Sequence, residues 1–583
     1  MPKPVLVTRR LCLETLTAVG AQLLVGGCDD PPKPPSETVP PTGEPGPDAA
    51  AKPDVPPVAA DAEPSKPETP STPEAPSQPD TAPSPPEPAS EAAAPAEAEA
   101  PAPEPAAPAV IKKVVQPHVL FISIDDMNDW VGVLGGNPQA RTPNIDALAK
   151  SGMLFANAHC AAPSCNGSRA ATMTGLRPSS TGVYANSHPW RQHLPDAVTI
   201  PDHFKRNGYR AIGAGKMFHG PFPDPGAWND YFPSLCRQTP KDREEIKRGK
   251  QTGKSGIPKM GNFDWGPLDK PNADMSDAKV VDWVIKNLPG ADAKPTFLAC
   301  GLYRPHLPWY VPQEWFDLFP LSGCKLPKVL QDDRKDIPKA ALKNLKYDKD
   351  HKRIVKADQW QHAVQAYLAS CAFADAMVGR LIDALRESPA ADNTVVVLWS
   401  DHGWHLGEKL KWRKFTLWEE ATRVPLIITG PSVPNPGVCT RAVSLLDIYP
   451  TLTEICGLPP NEAVEGRSLA KLLADPQAEK KRSAITTWGR GNHSIRTERW
   501  RYTRYKKGAE ELYDHEADPN EWTNLAGDEE HAKVIKRLAA RLPGKSVKPA
   551  PKRKDYAKKA FECDPDELAE DDGDEDVEDT DDE

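Results

Sequence analysis

No stretch of this 583-residue chain offers the roughly 18 consecutive apolar residues that a bilayer span needs, which excludes a multi-span membrane protein. No two cysteines stand in Cys-x-x-Cys spacing, so a zinc ribbon is excluded as well, and no internal repeat marks a solenoid. Residues 31–110 almost lack large apolar side chains and hold 26 of the 66 prolines. Such a segment cannot offset its ordering entropy and is expected to remain extended and disordered. Residues 561–583 contain no basic residue against 15 acids.

The net charge of −10 conceals a split. Residues 29–110 carry 16 acids and 3 bases, and residues 1–28 give +2. Residues 111–560 are therefore left with 66 bases against 50 acids. A basic folded part within an acidic chain favours anionic partners: nucleic acid, acidic lipid, or sulfated and carboxylated glycans. The tail reads as a solvating segment; folded back over the basic face, it would instead compete with an anionic substrate.

Lys3, Arg9 and Arg10 precede a moderately apolar stretch ending Leu23-Leu24-Val25-Gly26-Gly27-Cys28, the pattern of a secretory signal. Small residues directly before a cysteine resemble a bacterial lipoprotein cleavage box, and Thr8-Arg9-Arg10 resembles a twin-arginine signal. Cys28 would then be the lipidated N-terminus, anchored to a bacterial membrane or cell surface, with an ordinary cleaved signal as the alternative. Either signal places the folded part outside the cytoplasm. Beyond Cys12 and Cys28 nine cysteines remain, so one stays unpaired if the others form disulfides.

Val119–Ile124 is an apolar run ending in Asp125-Asp126, and Thr394–Trp399 repeats the pattern before Ser400-Asp401-His402-Gly403. Thr296–Cys300 leads to Arg304-Pro305-His306, Val424–Ile428 forms a fourth run, and a helix is expected from about Trp360 to Arg386. Buried strands alternating with helices specify an α/β sandwich whose ligands gather beyond the strands' carboxyl ends. After residue 460, Ile485–Trp488 and Trp500–Tyr505 read as short strands and Tyr513-Asp514 and Asp518-Pro519 as turns, which suggests a smaller α+β domain. The expected division is a signal (1–28), a tether (29–112), a catalytic domain (113–459), a smaller C-terminal domain (460–545) and a disordered acidic tail (546–583).

The segment Cys165-Asn166-Gly167-Ser168-Arg169 followed by Thr174-Gly175 resembles the sulfatase signature, Cys-x-Pro-Ser-Arg with Thr-Gly four residues on, and departs from it at Gly167. The resemblance spans most of residues 115–527. It implies an alkaline-phosphatase-like sandwich with a large mixed sheet and a smaller C-terminal α+β domain. Asp125, Asp126, Asp401 and His402 match the family's metal ligands, with residue 165 completing the set. Lys216 and His219, His306 and Lys414 match its remaining active-site positions. The Lys216-Met217-Phe218-His219 form and the Asp401-His402 pair most resemble iduronate-2-sulfatase.

In the chemistry this resemblance implies, Cys165 is oxidised by a formylglycine-generating or equivalent maturation enzyme, which accounts for an unpaired cysteine. Ca²⁺ suits the oxygen-rich ligand set. A hydroxyl of the formylglycine hydrate attacks sulfur, the alcohol leaves, and the second hydroxyl expels sulfate. Lys216 and Lys414 neutralise sulfate oxygens, Arg169 holds the nucleophile, His306 or Lys414 protonates the leaving alcohol, and His219 deprotonates the second hydroxyl. The implied partner is a sulfated carbohydrate, not nucleic acid. Alternatives are a phosphate or phosphonate ester hydrolase of the same superfamily, and a non-catalytic sulfated-glycan binder with unmodified Cys165. Cys165 could also be a structural thiol or pair with Cys160, and Asp125 and Asp126 could cap a helix. His306 could be a satisfied loop histidine. Lys409, Lys411 and Arg413 could form a solvated face or touch substrate.

Overall fold

The computed structural model describes residues 116–238, 240, 253–258, 260–291, 293–343, 345–556 and 563. The expected signal, the tether and most of the acidic tail lie outside these residues. Among the described residues no helix is long and apolar enough to cross a membrane.

The eight strands of the large sheet are β1 (His118–Ile124), β2 (Gly152–Phe155), β3 (Arg210–Gly215), β4 (Asp230–Phe232), β5 (Thr296–Leu302), β6 (Thr394–Ser400), β7 (Leu426–Thr429) and β8 (Gly437–Cys439). Their order is β8-β2-β7-β6-β1-β5-β3-β4. Every strand runs with β1 except β7, the fourth apolar run, which pairs antiparallel with β6 and β2, so the sheet is mixed as expected.

Alternation along the strands assigns the two faces. Leu120, Ile122 and Ile124 of β1 join Leu298 and Leu398 against α1 (Pro143–Lys150), α4 (Ser276–Lys286) and α5 (Trp360–Glu387), the long helix foreseen in the sequence. Val119 and Phe121 join Phe297, Val397 and Trp399 against α2 (Cys165–Thr174), α3 (Ile200–Arg206) and α6 (Ile448–Ile455). Near-continuous apolar strands follow directly from burial on both faces. Register pairs Ile124 with Leu302 on one side and with Ser400 on the other. The three central strands thus end level, and the loops beginning at Asp125, Tyr303 and Asp401 leave the sheet side by side.

Residues 460–483, grouped above with the smaller domain, send Leu469, Leu472 and Leu473 into the α6 side of the large core. Beyond them β9 (Ala484–Thr487), β10 (His493–Arg496), β11 (Trp500–Arg504) and β12 (Glu510–Asp514) form an antiparallel sheet in that order. Tyr513-Asp514, expected as a turn, closes β12. One face of this sheet packs Ile495, Tyr502 and Leu512 on Leu538 of α7 (Ala532–Ala539) and on Leu542. The other face turns Arg501 inward, where it pairs with Glu419 and, at 2.5 Å, with Glu521, and donates to Thr422 Oγ1 at 2.9 Å and Leu417 O at 3.0 Å. This fully buried pairing fastens the small sheet to the segment just after Lys414. Arg501→Ala leaves two buried carboxylates short of a cation and is expected to cost about 3–5 kcal/mol in a urea unfolding series.

Residues 546–556 fall in the tail expected to be disordered, yet they run along residues 179–187. Val547 N–H donates to Ser179 O at 3.0 Å, Ala550 N–H to Gly182 O at 2.8 Å and Arg553 N–H to Ser187 O at 3.2 Å. Cys563 forms a disulfide with Cys236. The other seven described cysteines, Cys160 and Cys165 among them, are free and buried, so no Cys160–Cys165 bridge forms.

Candidate active site

The loops after β1 and β6 meet the N-terminus of α2 at the carboxyl end of the sheet. Cys165 is the first residue of α2, held there by Asn166, whose side chain donates to Ala185 O at 2.9 Å and His188 O at 2.7 Å. Ser168 Oγ donates to Asp401 O at 2.6 Å, tying α2 to the β6 loop. At Gly167 an added Cβ would lie 2.8 Å from Ser164 Oγ and 3.1 Å from Ala162 Cβ, so a larger residue needs Ser164 to turn aside.

Asp125 takes Lys216 Nζ at 2.6 Å on Oδ2 and an Arg169 guanidinium nitrogen at 3.3 Å on Oδ1. Lys216 reaches it because the chain leaves β3 through Gly215, at φ 76°, and crosses close over Gly301. A Cβ on Gly301 would lie 2.4 Å from Lys216 backbone atoms. Arg169 also donates through Nε to Asp401 Oδ2 at 2.9 Å and through Nη1 to Lys216 O at 2.5 Å. Lys414 Nζ bridges Asp126 Oδ1 at 3.0 Å and Cys165 Sγ at 2.9 Å. His402 Nε2 lies 3.4 Å from both of those atoms, and His306 Nε2 lies 3.8 Å from Asp126 Oδ2. His219 is fully buried three residues beyond Lys216, its ring beside Phe222.

Burial pushes the Asp125 carboxyl upward, but Lys216, His306, Arg169 and Lys414 together hold it well below the usual carboxylate range. Burial drives His402 well below its ordinary value, with Lys414 adding to the effect. The Cys165 thiol is raised well above its usual value, again chiefly by burial. Both histidines have defined tautomers, since a carbonyl only accepts: Nδ1 of His402 faces Gly403 O at 3.1 Å and Nδ1 of His306 faces Leu307 O at 2.9 Å. Each Nδ1 therefore carries the proton, and each Nε2 presents its lone pair to the site.

Ligand atoms from Asp125, Asp126, Cys165 and His402 lie within 4.8 Å of one another, all buried. Two carboxylates, a neutral imidazole and the residue-165 side chain fit a divalent cation. The expected further ligand, Asp401, turns Oδ2 to Arg169 and uses Oδ1 to accept from Asp126 N–H at 3.1 Å and His402 N–H at 3.0 Å. Its Oδ2 stands 3.5 Å from His402 Nε2. Sequence reading missed Tyr367 of α5, whose hydroxyl donates to Asp126 O at 2.8 Å and accepts Asn128 N–H at 3.0 Å. Those bonds hold Asp126 at φ 63°, a left-handed conformation that aspartate tolerates better than most residues. Removing the hydroxyl in Tyr367→Phe is expected to weaken divalent-cation binding about 10-fold by calorimetry on cation-stripped protein.

The solvated-face reading of Lys409, Lys411 and Arg413 is corrected: all three are buried. Lys409 pairs with Asp333 at 3.0 Å, Arg413 with Asp350 at 2.8 Å, and Lys411 donates to Lys346 O. Burial brings the Lys411 amine down to about 7. These bonds hold the segment that leads into Lys414.

The sulfatase family profile matches residues 117–458, and the profile of the N-sulphoglucosamine sulphohydrolase C-terminal region matches residues 407–548. A sulfatase of Formosa agariphila is 40% identical over 445 residues, covering 74% of this chain and 88% of that protein. The iduronate 2-sulfatase of Homo sapiens is 30% identical over 410 residues, covering 61% of this chain and 73% of that protein. Among solved structures, the phosphonate monoester hydrolase of Agrobacterium radiobacter superposes with a TM-score of 0.59 at 23% identity, covering 73% of this chain and 94% of that one. At that identity the likeness shows the fold.

Proposed function

This chain belongs to the sulfatase family of sulfate-ester hydrolases, and from that premise we propose that it removes sulfate from a sulfated carbohydrate using formylglycine made from Cys165 and a bound Ca²⁺. The observation that carries the proposal is the placement of Lys414 Nζ between Asp126 and Cys165, where a cation-held sulfate must meet the residue-165 side chain. The activity named for the human relative, a 2-sulfatase of iduronate, supports a carbohydrate ester as the substrate class.

Asp125, Asp126, His402 and residue 165 would hold the cation, with Asp401 beside them. When bound, Ca²⁺ polarises a sulfate oxygen, and the formylglycine hydrate supplies the attacking oxygen. The chain's own residues do the rest. Three carboxylates against Arg169, Lys216 and Lys414 leave the site close to neutral before the cation enters and positive afterwards, which draws in an anionic ester. Lys216 and Lys414 offset charge growing on the sulfate oxygens, and Arg169 keeps Asp125, Asp401 and the Lys216 backbone in one frame. His306, with Nδ1–H committed to Leu307 O, gains and gives its catalytic proton at Nε2, the nitrogen that would protonate the leaving alcohol. His219 is assigned the proton released in the second half of the reaction.

The folded part is assigned outside the cytoplasm, anchored through a lipid on Cys28, and a maturation enzyme there or before export would convert Cys165. The Cys236–Cys563 disulfide supports an oxidising compartment. Mass spectrometry of the tryptic peptide from Ser151 to Arg169, alkylated after reduction, tests the central assignment. Alkylated Cys160 together with an aldehyde or its hydrate at residue 165 is the expected result. Alkylation of both cysteines in every molecule would overturn it and leave a sulfated-glycan binder. Phenyl sulfate is expected to be cleaved in preference to phenyl phosphate.

A further inference from the structure

We propose that residues 546–556 and the Cys236–Cys563 disulfide brace the catalytic residues, and that this disulfide makes turnover sensitive to reduction; the proposal rests on the functional reading above. The two contacts lie on opposite sides of the site. Residues 546–556 bond residues 179–187, and Tyr184 Oη donates to Val547 O at 3.0 Å. The next residues of that loop hold the nucleophile's helix: Asn186 Oδ1 accepts Asn166 N–H at 3.1 Å, and His188 O takes the Asn166 side chain. Cys563 is bonded to Cys236, 327 residues away in sequence.

Cys236 stands two residues before Gln238, so their Cα atoms are at most about 7 Å apart. Gln238 is buried against the other side of the site. Its Oε1 accepts Met217 N–H at 3.2 Å and Phe218 N–H at 2.7 Å, and its Nε2 donates to His219 O at 3.4 Å. These three bonds pin the backbone between Lys216 and His219, so Gln238 is a positioning residue acting through that pair. Only the tight Ser234–Arg237 turn lies between β4 and Gln238, and the disulfide leaves from within this turn. Among the described residues the other bonds of this turn are internal to it, Ser234 N–H to Arg237 O at 3.3 Å and Arg237 N–H to Ser234 O at 3.2 Å and to Ser234 Oγ at 3.1 Å, so without the disulfide the geometry of Lys216 and His219 loosens with it. A misplacement of about 1 Å in a catalytic group costs on the order of 100-fold in rate.

Reduction by a dithiol supplies two electrons and two protons, giving thiols at Cys236 and Cys563 and a cyclic disulfide from the reagent. The test uses the full chain, treated with dithiothreitol, beside Cys563→Ser and Gln238→Leu. In all three, kcat for an aryl sulfate is expected to fall about 10- to 100-fold with KM within about threefold. Dithiothreitol should have no further effect on Cys563→Ser. Amide exchange at Met217 and Phe218, read by mass spectrometry, should accelerate at least about 10-fold on reduction, and this readout needs no activity. Unchanged exchange after verified reduction overturns the brace. A KM that falls while kcat holds also overturns it, since the acidic tail would then have been competing with substrate. Accelerated exchange in a protein that never cleaves sulfate keeps the brace and removes the functional reading instead.

Discussion

Replacing the side chain at position 165 by a methyl group, in Cys165→Ala, is expected to lower kcat/KM for a sulfate ester by about 10⁴- to 10⁶-fold, the scale seen when a covalent nucleophile is removed. The folded state should survive. Residue 165 is buried at a helix start, and α2 is held by Asn166, Ser168 and Arg169 independently of it. Cation binding should fall far less than activity, because Asp125, Asp126 and His402 remain. Burst and steady-state assays of the aryl sulfate, with calorimetry on the same protein, separate the two quantities. Residual turnover within about 100-fold of wild type would show that residue 165 does not carry the bond-forming step. Parallel losses of cation binding and activity would make it a ligand alone.

The strands that carry the site were legible because burial on both faces leaves unbroken apolar runs, and Asp125-Asp126, Arg304-Pro305-His306 and Asp401-His402 interrupt them where the chain leaves the sheet. Register then brought these groups together, as parallel neighbours with level ends require. The direction of β7 was not legible, since an apolar run carries no sign of its orientation. Tyr367 and Gln238 were missed for a different reason. Tyr367 sits in an apolar helix 241 residues from Asp126, Gln238 acts only through backbone amides, and neither leaves a local pattern. Lys409, Lys411 and Arg413 looked solvated because Asp333, Asp350 and Lys346 O, which receive them, lie more than 60 residues upstream. The Cys236–Cys563 bridge was hidden in the same way, and with it the ordered start of the tail.

Two substitutions on opposite signs of charge should move cation binding in opposite directions while both abolish most activity. Asp125→Asn removes a carboxylate of the buried cluster that could hold a cation, one that pairs with Lys216 and Arg169. Ca²⁺ affinity should drop at least about 100-fold, and stability of the cation-free protein should fall by about 3–5 kcal/mol because two buried cations lose a partner. Lys414→Met removes a cation bonded to Asp126 Oδ1 and fits a side chain of similar length into the same buried position. With no ammonium competing for Asp126, Ca²⁺ should bind more tightly, by about 10-fold. The sulfate then loses a donor placed 2.9 Å from the residue-165 side chain, and kcat should fall about 10²- to 10³-fold, the cost of removing one preorganised group that meets developing charge. Calorimetric titration beside kcat on the same aryl sulfate reads both effects. Weaker Ca²⁺ binding in Lys414→Met would mean that Lys414 organises the ligands; tighter binding with full activity would mean that the sulfate is held elsewhere. Tighter binding with lost activity places the lysine on the reacting group.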